Sequence, residues 1–368
     1  MAMADLIGSS IEDLDTPALL LEAGAMQRNL DRMAAFFADR PAKLRPHFKN
    51  HKCATLARRQ LDAGSAVGMT CAKLGEAEVL ADHGFENLLI ANQVVGARKI
   101  ERLAVLAGRV ERLTVAVDDT GNVDAIAHAA RAAGSTVGML VEIDIGMGRC
   151  GVKPGKPTLA LARHVTKQAD AGGARFDGIQ AYEGHLVYVD DSEDKHAAVR
   201  ASMELAISSR RLIEADGIEC GAISGGSTAT HQVTGTMDGM DEIQAGTYPT
   251  MDCAYQRVAP MFEIAMTMLV RVISRHSGDT AVVDIGVKGA GGEFGVPLLK
   301  GYDRAVVPMF RAEEHCVIQS VPELRVGDAV EIIPSHACTT CNLHSSFVVH
   351  DEGKVLDVWP IEGSGKLQ

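Results

Sequence analysis

Arg112-Leu113-Thr114-Val115-Ala116-Val117, then Val123-Asp124-Ala125-Ile126-Ala127-His128-Ala129-Ala130-Arg131-Ala132-Ala133, then Val137-Gly138-Met139-Leu140-Val141-Glu142-Ile143-Asp144 form one period of a repeating pattern. The outer runs are short, apolar and rich in Val, Ile and Leu, as buried parallel strands are. The middle run is alanine-rich with apolar residues at helical spacing. Working outward, the same alternation predicts eight strands, near 43–49, 67–71, 87–91, 112–117, 137–144, 176–182, 220–224 and 242–246. Helices fit between them, for example over 75–83, 98–106, 123–133 and 197–215. Eight βα units close naturally into a parallel (β/α)8 TIM-type barrel, with a doubly wound open sheet as the alternative. After Gly246 the rhythm stops and strands follow one another, near 262–274, 280–285, 316–319, 329–333 and 347–350. A C-terminal β-rich domain is expected there, completed by an N-terminal strand within 14–21, with helix 25–38 leading into the barrel. The expected division is a barrel of residues 23–250 and a β-rich domain of residues 1–22 and 251–368.

Composition narrows the function. The 368 residues are 46% hydrophobic and 23% charged, enough for two domains of an ordinary globular protein. A net charge of -12 leaves no basic stripe for a phosphate backbone, which excludes nucleic acid as the expected partner and favours small molecules. No charged start precedes an apolar signal-length run, and no later run has membrane-spanning length, so a cytoplasmic protein without a membrane partner is expected. Eight cysteines, at 53, 71, 150, 220, 253, 316, 338 and 341, show no framework spacing and read as free thiols, with only Cys338 and Cys341 looking paired.

The unusual polar residues fall at or just past strand ends, the face on which such barrels build active sites: Lys49, Asn92, Asp118, Asp144 with Arg149, Tyr182 with His185, and Gln244. Lys49 lies in Leu44-Arg45-Pro46-His47-Phe48-Lys49-Asn50-His51-Lys52, where two histidines and an arginine surround a lysine placed as a Schiff-base lysine would be; a basic surface turn is the alternative. The seventh strand ends in Ser224-Gly225-Gly226-Ser227-Thr228 and the eighth in Ala245-Gly246-Thr247-Tyr248. Glycines there let backbone N–H groups approach a ligand, and phosphate sites recur in the loops after the last two barrel strands. His336-Ala337-Cys338 pairs an imidazole with a thiol two residues apart, which on an extended segment would share one ion.

These features together resemble fold-type III pyridoxal-phosphate enzymes, the alanine racemase-like group. Within that group the chain resembles the D-threonine aldolase and D-serine dehydratase branch. Four motifs carry the likeness: Asp15-Thr16-Pro17-Ala18-Leu19, Arg45 to Lys52, Glu142-Ile143-Asp144-Ile145-Gly146-Met147-Gly148-Arg149-Cys150-Gly151-Val152, and Pro334-Ser335-His336-Ala337-Cys338. The resemblance implies that Lys49 anchors pyridoxal 5'-phosphate, with Lys52 as the rival and with Arg45 and Lys52 lowering the amine's pKa. It implies that Arg149 faces the ring's phenolic oxygen, that Tyr182 and His185 contact the ring or serve as acid and base, and that Ser224, Gly225, Gly226, Ser227, Gly246, Thr247 and Tyr248 bind the cofactor. Gln244 aligns where a racemase carries an arginine beside the pyridine nitrogen.

At His336 and Cys338 the resemblance implies a divalent cation, Mn, Mg or Zn. Aspartate in place of Cys338 is usual in the aldolases, and cysteine in the dehydratases. Cys341 and His344 are further candidates that read more readily as bystanders. The implied activity is a lyase on D-3-hydroxy amino acids, cutting D-threonine-like substrates to glycine and an aldehyde. The alternative is dehydration to an oxo acid and ammonia; a racemase or a non-catalytic cofactor-binding protein comes third. Asn342-Leu343-His344 and Val355-Leu356-Asp357-Val358-Trp359-Pro360-Ile361 favour the low-specificity aldolases, whereas Asp284 to Glu293 departs from both branches after Lys288. A homodimer is expected by the same analogy.

Overall fold

The computed structural model describes residues 6–308 and 312–368. They form two compact units. One comprises Ala34–Lys49, Ala57–Gly246 and Lys366–Gln368; the other comprises the chain up to Met33, Asn50–Leu56 and Thr247–Gly365.

Strand β1 (Ala18–Glu22) belongs to the second unit, and helix α1 (Ala23–Phe37) follows it. The barrel unit carries β2 (Lys43–Leu44), β3 (Met69–Cys71), β4 (Asn87–Gln93), β5 (Arg112–Val117), β6 (Val137–Ile143), β7 (Ala174–Ala181), β8 (Ala222–Gly225) and β9 (Glu242–Ile243). Between them run α2 (Ala54–Asp62), α3 (Leu74–Asp82), α4 (Ala97–Ala107), α5 (Thr120–Ala132), α6 (Lys156–Asp170), α7 (Glu193–Ala215) and the short α8 (His231–Thr234). The strands are all parallel in the order β2-β9-β8-β7-β6-β5-β4-β3. Parallel bridges Leu44 to Ala66 and His47 to Thr70 join the two ends of that order, so the sheet closes as the repeat predicted.

The local causes are ordinary. Every residue of β6 is buried, because a barrel strand is covered by side chains inside and helices outside. In α5 the buried residues Val123, Ile126, Ala127 and Ala130 form one stripe, and Asp119 caps the helix by accepting the Asn122 N–H. The first strand departs from the prediction. It is regular only over Lys43–Leu44, although Arg45 and His47 continue to donate N–H bonds to Ile243 and Ala245. Pro46 interrupts the alternation of donors, so Lys49 lies in the turn beyond the strand.

Arg45 is a second correction. Its guanidinium donates to both carboxylate oxygens of Glu242, at 2.7 and 2.6 Å, and to Asn87 Oδ1 at 3.0 Å. Just past β2, it therefore forms a buried ion pair with the first residue of β9, to which its charge is committed. With the Arg45 side chain only 6% exposed, Glu242→Ala would strand a buried cation and is expected to cost about 3 kcal/mol of stability. The denaturant midpoint measures it; an unchanged midpoint would mean that the guanidinium is solvated without its partner.

The second unit adds α9 (Cys253–Val258), β10 (Met266–Ser277), β11 (Thr280–Val283), β12 (Leu298–Leu299), β13 (Cys316–Ile318), β14 (Ala329–Ile333), α10 (Ala337–Leu343), β15 (Ser346–Asp351) and β16 (Lys354–Pro360). Its main path runs β12-β14-β10-β1-β15-β16, with β11 pairing β10 and β13. The N-terminal strand completes the sheet from the middle: β1 is antiparallel to β10 and parallel to β15, with Leu20 opposite Thr267 and Val348. Leu20, Leu269, Val348 and Val355 then share a core with Ile11 and Leu14. Among the described residues no helix is long and apolar enough to cross a membrane, and the cysteines are all free, Cys338 and Cys341 included, which corrects the pairing their spacing suggested.

Candidate active site

In the barrel unit three of the expected residues converge. The Lys49 amine lies 5.8 Å from the centre of the Tyr182 ring, and the Arg149 guanidinium carbon lies 5.5 Å from the same centre. Tyr182 immediately follows β7, and Arg149 sits in the loop after β6, so parallel neighbours bring them to one end of the barrel. The Arg149 loop is built by Asp144, whose carboxylate accepts the N–H groups of Gly146 and Gly148 at 3.1 and 2.9 Å and the Lys153 amine at 2.8 Å. Lys153 and those two N–H groups hold the Asp144 carboxyl down at about 2. His185 is exposed rather than a core histidine, in the short turn Gly184–Leu186 after β7. Its ring lies so close to the Gly146 backbone that a Cβ there would come within 2.8 Å of Nε2.

Glu142 and Gln93 were not singled out from sequence, yet both belong to this cluster. Glu142 is buried, accepts the Gln93 amide at 2.5 Å and lies 3.8 Å from Arg149. Burial raises its pKa against the opposing pull of Gln93 and Arg149.

The Ser224–Ser227 loop is held from below. Gly226 has φ +77°, and a Cβ on Gly225 would meet the Ala181 carbonyl at 1.9 Å, so both positions require glycine. Ser227 donates its N–H to Thr230 Oγ1 at 3.0 Å, and Thr230 donates in turn to Glu183 at 2.5 Å. Glu183 is fully buried, which raises its pKa against the pull of Thr230. The Ser227 N–H thus points into the protein, and the loop is held by a carboxylate that no motif revealed. Gln244 donates to Ser224 Oγ at 3.0 Å and approaches Gln180 at 3.4 Å, so its amide is engaged within the barrel. Gly246 closes this unit. Thr247 and Tyr248 fall in the other, where the Thr247 carbonyl accepts the Met251 N–H and the buried Tyr248 ring packs 5.9 Å from Phe262.

Beyond the loop, His231 is buried with Nδ1 2.7 Å from the Thr228 carbonyl. Burial lowers its pKa to about 4. The unfolded imidazole binds a proton from about pH 6.5 downward and the folded one does not. Folding stability should therefore fall as pH drops through that window, by up to about 3 kcal/mol near pH 4. Denaturation of wild type and His231→Gln at pH 7 and 4.5 checks it: the variant should lose part of the slope.

In the second unit the metal candidates are arranged differently from expectation. They do not share an extended segment: His336 is the extended N-cap residue of α10, and Cys338 lies in that helix's first turn. The cap keeps them close enough for the Cys338 sulfur to act on the imidazole. His336 is 8% exposed; its Nδ1 is 3.4 Å from Asp252 Oδ2 and its Nε2 is 3.9 Å from Glu293 Oε1. Burial works to lower the His336 pKa, but the Cys338 sulfur and the Asp252 carboxylate outweigh it and hold the imidazolium up to about 10. Asn50 donates to the Cys338 sulfur at 3.6 Å, and Thr250 donates to Asn50 at 2.7 Å. The bystanders are turned elsewhere: Cys341 touches Met266 sulfur at 3.4 Å, and His344 Nε2 lies 2.6 Å from the Gly289 carbonyl. Among the described residues no three His, Cys, Asp or Glu side chains converge on one ion position. The donor set is thus a buried imidazole and a partly exposed thiol with anionic neighbours, which fits a divalent cation with open positions.

The family described as alanine racemase, N-terminal domain matches residues 21–252, and the serine dehydratase domain matches residues 265–350. A D-threonine aldolase of Arthrobacter sp is 34% identical, covering 97% of this chain and 95% of its own length. A 3-hydroxy-D-aspartate aldolase of Paracoccus denitrificans (strain Pd 1222) is 33% identical, with 98% and 95% covered. The chain belongs to the D-threonine aldolase and D-serine dehydratase family of alanine racemase-like enzymes. The crystal structure of D-threonine aldolase from Filomicrobium marinum matches its fold with a TM-score of 0.94 and 36% identity, over 98% of this chain and 99% of that one. The D-threo-3-hydroxyaspartate dehydratase of Delftia sp. (strain HT23) stands further off, at 29% identity over 89% of this chain and 92% of its own length. Membership of this family makes the protein a pyridoxal-phosphate-dependent lyase.

Proposed function

We propose that this enzyme cleaves D-3-hydroxy amino acids of the D-threonine type to glycine and an aldehyde. The observation that carries the reading is the likeness to two aldolases over nearly the whole chain, at higher identity than to the dehydratase. Lys49 is the covalent anchor, with Tyr182 and Arg149 at the ring and Ser224, Gly225, Gly226, Ser227, Gln244, Gly246, Thr247 and Tyr248 as further cofactor contacts. His336 and Cys338 hold the cation. When bound, pyridoxal phosphate supplies a sink for the electrons of the breaking Cα–Cβ bond, and the divalent cation supplies a Lewis acid for the 3-hydroxyl. His185 is an exposed imidazole at the barrel's C-terminal end and takes the hydroxyl proton. Arg149, backed by Glu142 and Gln93, holds negative charge at the ring oxygen. A homodimer accompanies this reading by family analogy, and a cytoplasmic location goes with it as expected from the sequence.

Cys338 favours a second reading. A thiol at the cation fits the dehydratase branch, in which Lys49 would take the Cα proton and hydroxide would leave. Purified enzyme supplied with pyridoxal phosphate and Mn²⁺ or Zn²⁺ should be given D-threonine, D-serine and D-3-hydroxyaspartate, with products identified by mass. Glycine with an aldehyde is expected; an oxo acid with ammonia would replace the aldolase by the dehydratase, and neither product set would sink both.

A further inference from the structure

Asp252 has no exposed surface, yet its carboxylate sits against the residue that joins the two candidate metal ligands. Oδ2 accepts the Ala337 N–H at 2.8 Å and lies 3.4 Å from His336 Nδ1. Oδ1 accepts the Tyr255 N–H at 2.8 Å and so caps α9. The Nδ1 atom is itself buried and has no properly formed hydrogen bond. A cation that displaces the Nε2 proton leaves the imidazole one N–H, and a proton on Nδ1 has the Asp252 carboxylate facing it. A metal-bound histidine commonly donates its other N–H to a carboxylate in this way, and the pairing fixes ring orientation and tautomer.

We propose that Asp252 is the positioning residue of the metal centre: it orients His336 so that Nε2 binds the cation, and it anchors the backbone between His336 and Cys338 through the Ala337 N–H. The inference rests on the metal reading above. Asp252 itself need not touch the cation, because its oxygens serve the Tyr255 and Ala337 N–H groups and face His336 Nδ1.

Asp252→Asn separates this role from a purely structural one. The amide oxygen can still cap α9 through the Tyr255 N–H, whereas the NH₂ group would face two donors, the Ala337 N–H and Nδ1–H. Zn²⁺ and Mn²⁺ affinities should be measured by chelator competition on dialysed, pyridoxal-phosphate-loaded wild type, Asp252→Asn and His336→Ala. Asp252→Asn is expected to bind each metal about 10- to 100-fold more weakly, while the visible cofactor band and the far-ultraviolet circular dichroism stay as in wild type. Metal affinity equal to wild type in a folded Asp252→Asn protein overturns the proposal. Should that variant fail to fold, ¹⁵N-histidine spectra of the Zn²⁺-loaded wild type decide: coordination through Nε2 with Nδ1 protonated supports the proposal, and coordination through Nδ1 overturns it. Wild type that takes up neither metal, or His336→Ala that binds as wild type does, defeats the metal reading and the proposal with it. A normal His336-dependent site with an indifferent Asp252 defeats the proposal alone.

Discussion

Lys49→Ala is expected to remove the visible absorbance of the lysine-bound cofactor and to reduce cleavage by on the order of 10³-fold or more, the scale of loss when a covalent catalytic group is deleted. The Lys49 amine is only partly buried and sits beside the Tyr182 ring, the same ring that Arg149 approaches. An amine that exchanges a covalent partner at each turnover, as proposed for Lys49, would need this access. Lys52 is placed otherwise: it is buried, its backbone has φ +55°, and its amine lies 3.5 Å from the Gly363 carbonyl. Lys52→Ala should therefore lose stability before it loses the cofactor band. Spectra of the two purified variants decide between the lysines, and loss of the band from Lys52→Ala alone would reverse the assignment. The spectrum is the stronger readout, because activity would also fall if Lys49 were merely a proton carrier.

The barrel was legible because its middle strands, β4 to β7, are largely apolar runs between turn residues, as parallel strands covered on both faces are. The N-terminal strand was legible for the same reason, although its central place in the sheet was not, since β1 acquires its neighbours from β10 and β15 far along the chain. β12 has only two residues, and β16 carries exposed residues along most of its length, so neither made a hydrophobic signal. Among candidate site residues, strand position anticipated that Lys49, Arg149 and Tyr182 come together at one end of the barrel. Glu142, Glu183 and Asp252 were invisible because each acts through a partner 49, 47 or 85 positions away. The same cause explains the error at α10. Ala337-Cys338-Thr339-Thr340-Cys341 has no helix-forming bias, and the N–H at the head of the helix is satisfied by Asp252 rather than by a local cap. Arg45 was misread in the opposite direction: a cation near Lys49 in sequence is committed to Glu242 in space.

Removal of divalent metal is expected to lower cleavage by on the order of 10²-fold or more while leaving the cofactor band in place, because His336 and Lys49 belong to separately packed units. Chelation followed by desalting should give this state, and added Zn²⁺ or Mn²⁺ should restore turnover in wild type. His336→Ala should show the same loss without restoration, since a buried imidazole is the main nitrogen donor of the set. In the proposed centre Cys338 should decide which ion serves best. A thiolate is a soft ligand, so the wild-type site should bind Zn²⁺ well above Mn²⁺ and bind Mg²⁺ least, whereas Cys338→Asp should narrow that gap by presenting a hard oxygen. The Asn50 amide that donates to the Cys338 sulfur can donate equally to a carboxylate, so the exchange keeps its hydrogen-bonding partner. Competition titrations of both proteins with the three ions measure the gap. Full activity after chelation, or an unchanged preference in Cys338→Asp, would show that the cation lies elsewhere than at His336 and Cys338.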